Sequence, residues 1–171
     1  SCVLFSLVGC FTFINLHLAA EPYHLSSSDL ANIYMVYLIG MVITPLSTQI
    51  ISRFGAKKTV LMAVSLSMVG VVATLATPLW GIVLALAIMS TGVFITQAAT
   101  ISYIAKNVTQ NRSLASGLYY MGYYTGGTIG ATVCGLAYAR GAWGMTVLTL
   151  LAVQVFALLV ASYIMVARKA S

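Results

Sequence analysis

The chain has 171 residues, of which 61% are hydrophobic and 6% are charged, and its mean hydropathy is +1.02. Soluble domains carry about 25% charged residues, so this composition excludes a water-exposed surface and indicates an integral membrane protein. The formal net charge is +6, but the basic residues stand in small groups between apolar runs. That pattern is typical of membrane topology signals and argues against a nucleic-acid-binding face.

Six apolar runs are long enough to cross a bilayer. A hydrocarbon core of about 30 Å needs about 20 residues of helix, and lipid offers no partner for backbone amides, so each run is predicted to be helical. Runs such as 147–151 do not alternate polar and apolar residues, which argues against a β-barrel. The sequence therefore predicts an all-α membrane protein with one six-helix bundle over residues 1–171. The predicted spans are 3–20, 30–51, 59–77, 79–105, 114–138 and 143–167.

The distribution of basic residues predicts the orientation of the chain. Seven of the eight Lys and Arg residues lie in the second and fourth connectors and in the C-terminal tail, and Arg140 alone lies in an odd-numbered connector. Loops rich in Lys and Arg are retained on the cytoplasmic side. Both ends of the chain are therefore predicted to be cytoplasmic, and the basic stretch 53–58 is predicted to be a sharp cytoplasmic turn.

Polar side chains inside the spans are candidates for the lining of a substrate path. Gln97 has Thr100 near it, and it is either a cavity wall or a hydrogen-bonding group between helices. Gln154 has only apolar neighbours in the sequence, so hydrogen bonding between helices is favoured there. The candidate cavity residues are Thr12, Asn15, Gln97, Thr100, Tyr120 and Tyr123.

Two residues at the outer end of the first span are candidates for proton coupling. Glu21 follows His17 by four residues, so the two share a helix face if the helix continues that far. An imidazole changes charge near neutral pH, and ionisable residues inside a membrane are functional candidates by default. The alternative is that Glu21 simply faces water.

The fifth span is rich in glycine and tyrosine. Gly122, Gly126 and Gly130 recur every four residues, a spacing that lets helix backbones approach closely. These glycines are predicted to form a helix contact, which also permits sliding between helices. Tyr120 and Tyr123 lie on other faces of the same helix and are candidates for a cavity wall.

No catalytic or metal-binding arrangement is recognisable. The three cysteines lack metal-ligand spacing, and the only acidic residues, Glu21 and Asp29, lie near the outer face. No nucleophile–base pair or phosphate loop can be assembled from these residues. The sequence therefore predicts neither an enzyme, nor a metal site, nor a cofactor.

Three segments resemble the C-terminal half of a major facilitator superfamily transporter. Segment 52–58 resembles the signature loop, which usually reads Gly, three residues, Asp-Arg-x-Gly-Arg-Arg. Arg53 and Gly55 match this pattern, and Ser52 stands in place of the aspartate. The likeness covers essentially the whole chain, and it is nearest to bacterial inner-membrane members of the drug:proton antiporter group. The other two segments, which resemble the seventh and eleventh helices, are 11–26 and 116–127.

This resemblance implies two inverted three-helix repeats, at about 3–77 and 79–167, that pair with an N-terminal half of the same transporter. The first and fourth spans then line the central cavity. The resemblance also implies that segment 52–58 acts as a gating loop. In the family, the aspartate of this loop holds the cytoplasmic side closed. Ser52 brings no charge to that position, which implies a weaker closing contact in this half. The gating-loop residues are Ser52, Arg53, Gly55, Lys57 and Lys58.

The function that the resemblance implies is secondary transport by alternating access. The expected activity is export of small, partly apolar molecules in exchange for protons across the bacterial inner membrane. Two alternatives remain open: an uptake carrier or uniporter for a polar metabolite, and a non-transporting half-size membrane protein.

Overall fold

The protein is all-α, as the sequence predicts. A computed structural model describes residues 1–21, 23–76, 78–108 and 110–167, and these residues form helices with no strand among them. The tail cations Arg168 and Lys169 lie outside the described residues. The helices are α1 (Cys2–Ala19), α2 (Ser27–Ile33), α3 (Met35–Phe54), α4 (Ala56–Ala73), α5 (Leu79–Asn107) and α6 (Arg112–Ala167).

Among the described residues, four helices meet the length and hydropathy expected of a membrane span, namely α1, α4, α5 and most of α6. Helix α6 contains both the fifth and the sixth predicted spans. Its backbone leaves helical geometry between them, at Gly141 and Ala142. Gly9 of α1 lies against both Cys134 and Leu150. Because these two residues flank the break, the chain reverses there. The antiparallel parts are the first arm of α6 (112–140) and the second arm (143–167).

The predicted second span, 30–51, is divided between α2 and α3. Helix α2 begins at a capping box, in which Ser26 Oγ accepts from the Asp29 amide at 3.3 Å and Asp29 Oδ2 accepts from the Ser26 amide at 3.2 Å. The helix is interrupted at Tyr34, and α3 then runs for 20 residues with Pro45 inside it. At 1.5 Å per residue α3 is about 30 Å long, which matches a hydrocarbon core.

Helices α1 and α5 form the centre of the bundle. Within the most apolar 18-residue window of each helix, 50% of α5 and 44% of α1 are buried, against 33% of α4 and 22% of α6. Helix α1 packs against both arms of α6, while α5 packs against α3 and α4. Each central helix therefore has two main packing neighbours, counting the arms of α6 separately. Its side chains fill the core through residues such as Leu7, Ile14, Leu86 and Met89.

Glycines set the closest approach between α4 and α5. A Cβ added at Gly70 of α4 would lie 2.5 Å from the Met89 amide nitrogen, and one at Gly92 of α5 would lie 2.5 Å from the Ala63 carbonyl oxygen. Such distances are well inside van der Waals contact, so the absence of a side chain is what lets the two backbones meet. Close packing of this kind matters in lipid, because no hydrophobic force drives helices together there.

Candidate functional site

The bundle has two ends of different charge. The α3–α4 turn with Arg53 and the end of α5 with Lys106 lie together at one end. Glu21 and Asp29, the only acids of the chain, lie at the other end, beyond α1 and at the start of α2. We call these the basic end and the acidic end.

Gln97 and Tyr123 meet between α5 and the first arm of α6. Tyr123 Oη donates to Gln97 Oε1 at 3.1 Å, and Tyr123 is only 6% exposed. One turn along α5, Thr100 Oγ1 donates to the carbonyl of Thr96 at 2.7 Å. Two of the candidate cavity residues, from different helices, thus form one polar contact, and a hydrogen bond of this kind in a membrane contributes about 0.6 kcal/mol.

Four tyrosines on the first arm of α6 stack in two pairs. The ring of Tyr119 lies over that of Tyr123 with 5.9 Å between centroids, and Tyr120 stacks on Tyr124 at 6.4 Å. Tyr120 is 40% exposed and Tyr124 is 64% exposed. The second pair therefore presents an aromatic surface beside the Gln97–Tyr123 contact.

Asn15 and Thr12 lie further along α1, towards the acidic end. Asn15 Nδ2 donates to Tyr34 Oη at 2.6 Å and to the carbonyl of Phe11 at 2.8 Å. Thr12, Phe11 and Tyr34 line an open groove of ≈ 400 Å³. Tyr34, which is not among the residues predicted from the sequence, thereby joins α1 to the junction of α2 and α3.

The candidate cavity residues fall into two groups at different depths. Helix α1 runs parallel to the first arm of α6, because Phe5 lies against Gly130 and Phe13 stacks on Tyr138. Because Phe13 is level with Tyr138, Thr12 lies at the depth of residue 137 of the first arm, which is 14 positions beyond Tyr123. At 1.5 Å per residue the two groups lie about 20 Å apart along the bundle axis, so the structure does not bring them into one cluster.

His17 lies between two aromatic rings near the acidic end. It stacks on Trp143 with 5.7 Å between centroids and meets the ring of Tyr23 edge-on at 5.8 Å. Helix α1 ends two residues before Glu21, whose Oε1 lies 4.0 Å from His24 Nε2. The structure therefore does not place His17 and Glu21 on a common helix face.

The turn between α3 and α4 is built on Gly55. It is the single residue between the two helices and has φ +78° and ψ 153°, a backbone region that is essentially restricted to glycine. Its amide donates to the Ile51 carbonyl at 2.8 Å, and its carbonyl accepts from the Thr59 amide at 3.1 Å. Gly55 therefore closes one helix and opens the next.

The other residues of the candidate gating loop surround this turn. Ser52 Oγ donates to the Gln49 carbonyl at 2.8 Å, so its hydroxyl is bonded within its own helix. The guanidinium of Arg53 lies 5.6 Å from the centre of the Phe54 ring, within the range of a cation–π contact. The lysines that line one open cavity beside the turn are Lys57, Lys58 and Lys106.

Two of the three evenly spaced glycines of the first arm lie against α1. A Cβ added at Gly130 would lie 2.6 Å from the Phe5 carbonyl oxygen, and one at Gly126 would overlap the backbone of Ser1. Nothing lies within 4 Å of the corresponding point at Gly122. The close contact is therefore made by Gly126 with Ser1, the N-cap of α1, and by Gly130 with α1 itself.

A buried polar contact joins α4 to the second arm of α6. Gln154 Nε2 donates to Ser67 Oγ at 3.0 Å, and both residues are 3% exposed. Together with Ser6 they line a small cavity of ≈ 20 Å³, where neither Ser6 Oγ nor Gln154 Oε1 has a hydrogen-bond partner among the described residues. The sequence favoured a helix-to-helix role for Gln154, but the spacing offered no means of identifying Ser67, 87 positions away.

Comparison with known proteins yields one family and several relatives. A family model described as Major Facilitator Superfamily matches residues 1–171. The chain is 24% identical over 143 residues to an uncharacterized transporter of Buchnera aphidicola subsp. Baizongia pistaciae (strain Bp), covering 83% of this chain and 36% of the relative. It is 26% identical over 141 residues to the uncharacterized MFS-type transporter YybF of Bacillus subtilis (strain 168), covering 82% of this chain and 35% of the relative.

The chain spans about a third of the length of the curated relatives it matches: 36%, 33% and 35% of three of them. No solved structure matches this chain.

Proposed function

This chain belongs to the Major Facilitator Superfamily, and from that premise we propose that it is the C-terminal half of a secondary active transporter that works by alternating access. The packing supports this proposal, because α1 packs mainly against the two arms of α6, whereas α5 packs mainly against α3 and α4. That is the reciprocal pattern that two inverted three-helix repeats would produce. The transporter names of the bacterial relatives also support transport. The proposed location is the bacterial inner membrane, with the basic end in the cytoplasm, because loops rich in Lys and Arg are retained on that side.

The observation that carries the proposal is the Gln97–Tyr123 contact beside the exposed rings of Tyr120 and Tyr124. Ligand sites are mostly apolar and aromatic, with a few polar groups that orient the ligand. An amide and phenol groups next to open aromatic faces are suited to small, partly apolar molecules. We propose such molecules as the substrates, exported in exchange for protons.

Proteoliposomes of the full-length protein that contains this chain test the proposal. Fluxes of partly apolar dyes and of polar metabolites are measured with and without a pH gradient. We expect dye flux that accelerates when a proton gradient is imposed, with Gln97→Leu close to the rate of protein-free liposomes. A flux that does not change with the pH gradient would contradict proton coupling. The absence of flux for every compound would contradict transport itself.

A second candidate function is uptake or uniport of a polar metabolite. It is favoured by the position of the two acidic residues, Glu21 and Asp29, outside the membrane-length helices. Because this chain offers no carboxylate within those helices, a proton-independent carrier is consistent with it. Equilibrating uptake of a polar metabolite, without dye export, would select this alternative.

We also propose that the α3–α4 turn acts in gating, with Arg53 as its state-dependent contact. The Phe54 ring under the guanidinium holds this side chain at the turn. Arg53→Ala is expected to lower the initial transport rate more than Lys58→Ala at equal expression. Equal effects would leave the turn as an orientation signal only.

A further inference from the structure

An open cavity at the basic end lies between the α3–α4 turn and the end of α5. Its volume is ≈ 710 Å³, and its lining includes Phe54, Lys57, Lys58, Tyr103 and Lys106. The volume falls within the range of about 300 to 1,000 Å³ that is usual for ligand sites. Because the three lysines come from two separate elements, the positive charge surrounds the cavity and does not belong to one helix terminus.

No aspartate or glutamate side chain of this chain lies near these lysines. Its two acids, Glu21 and Asp29, lie at the acidic end, the length of α3 away, which is about 30 Å. Like charges around one cavity repel each other, and the repulsion grows as the dielectric constant falls towards the lipid. The cavity therefore favours an anion supplied from outside this chain.

An apolar strip runs from the cavity along the outer face of α4. Lys58, Met62, Leu66 and Val69 are spaced so that they share one helix face. Met62 is 53% exposed, Leu66 is 38% exposed and Val69 is 60% exposed. From Lys58 to Val69 the strip is about 16 Å long, which is close to half of a hydrocarbon core of about 30 Å. One surface thus offers cations at its end and apolar contacts over the depth of one leaflet.

We propose that this surface binds an anionic phospholipid, with the headgroup phosphate in the basic cavity and an acyl chain along the α4 strip. Lysine ammonium groups donate charge-assisted hydrogen bonds to phosphate oxygens, and basic pockets between helices at a membrane surface recognise lipid headgroups in this way. A free anion would use the lysines alone, whereas a phospholipid uses the lysines and the strip. The bound lipid connects the α3–α4 turn with α5, and its binding does not depend on transport activity.

The test uses the full-length protein, delipidated in neutral detergent and titrated with phosphatidylglycerol. Bound lipid is counted by native mass spectrometry, with phosphatidylcholine as the uncharged arm and inorganic phosphate as the free-anion competitor. We expect phosphatidylglycerol to be retained, phosphatidylcholine to be lost, and millimolar phosphate to displace little lipid.

Matched variants locate the site. The double variant Lys58→Gln/Lys106→Gln is expected to weaken phosphatidylglycerol binding about tenfold or more, since each lysine near an anionic lipid contributes about fivefold. Arg112→Gln/Arg140→Gln removes the same charge from residues that do not line the cavity and is expected to weaken binding less than the lysine double variant does. Met62→Gln/Val69→Gln is expected to weaken binding of the lipid without altering that of phosphate. Unchanged thermal unfolding shows that the variants fold.

Three results would overturn the inference. The first is equal retention of the two lipids, and the second is complete displacement by inorganic phosphate, which would indicate a free-anion site. The third is full phosphatidylglycerol retention by Lys58→Gln/Lys106→Gln. If residue 106 of the wild-type protein can also be cross-linked to another segment of the full-length protein, and the variant loses that cross-link, the lysines pair with carboxylates of that segment and not with lipid. Absence of transport with intact lipid binding would count against the proposed function and leave this inference standing.

Discussion

Tyr123 donates a hydrogen bond to Gln97 at 3.1 Å and thereby links the first arm of α6 to α5. The helices form two groups, because α1 packs on α6 while α3 and α4 pack on α5. A second side-chain link between these groups is the bond from Gln154 to Ser67. Polar residues within the spans thus connect two groups of helices whose own contacts are mainly apolar.

Tyr123→Phe tests whether the phenol hydroxyl serves transport or packing. The ring stays, so the change removes one hydrogen bond worth about 0.6 kcal/mol and should barely alter thermal unfolding in detergent. We expect a lower apparent affinity for the transported dye in proteoliposomes. Tyr163→Phe, at an exposed position on the second arm, is the control and should behave as wild type. Wild-type affinity in Tyr123→Phe would assign the hydroxyl to packing alone.

Gly130→Ala is expected to destabilise the bundle, because the new methyl group would lie 2.6 Å from the Phe5 carbonyl oxygen. Forcing α1 and α6 apart costs about 1 to 3 kcal/mol. Gly122→Ala makes the same chemical change where nothing lies within 4 Å, so it should be neutral or stabilising. Denaturant unfolding of both variants in micelles gives the comparison, and similar destabilisation in the two would contradict the assignment of the contact.

Gly55→Ala is expected to strain the α3–α4 turn. Its φ of +78° and ψ of 153° cost a residue with a side chain about 1 to 3 kcal/mol. The matched control is Gly144→Ala, in helical backbone with nothing within 4 Å of the added carbon. A lower melting temperature for Gly55→Ala alone is the expected outcome; equal melting temperatures would show that the turn adjusts without cost.

His17→Gln tests the proton-coupling candidate at the acidic end. Glutamine cannot take up a proton near neutral pH, so we expect dye flux to lose its acceleration by a pH gradient. His24→Gln is the control, because the His24 side chain is exposed and lies 4.0 Å from the exposed Glu21. Gradient-driven flux that persists in His17→Gln would show that proton coupling does not depend on His17.

Much of the fold follows from composition and short-range pattern. Apolar runs of membrane length predict the helices, and the break predicted between the fifth and sixth spans appears at Gly141 and Ala142 within α6. The capping box of Ser26 and Asp29 starts α2 for reasons that are local in the sequence. The interruption at Tyr34 had no such signal, because apolar residues continue on both sides of it.

The candidate site could be predicted only in part. Spacing alone makes Gly122, Gly126 and Gly130 equivalent, yet only the last two meet α1. Polarity alone groups Asn15 with Gln97, yet their helices hold them about 25 Å apart along the bundle axis. Partners such as Tyr34 for Asn15 and Ser67 for Gln154 lie too far along the chain for any spacing rule.

By itself the sequence determined that the protein lies in lipid, where its helices run and where the basic turn falls. Lipid requires long apolar segments whose backbone hydrogen bonds are formed within the segment. The tertiary structure alone decided which face of each helix meets which neighbour. A membrane helix is apolar on every side, so hydrophobic periodicity does not separate its packed face from its lipid face. That choice depends on where small residues allow close approach and where polar side chains find partners, which is a property of two helices together.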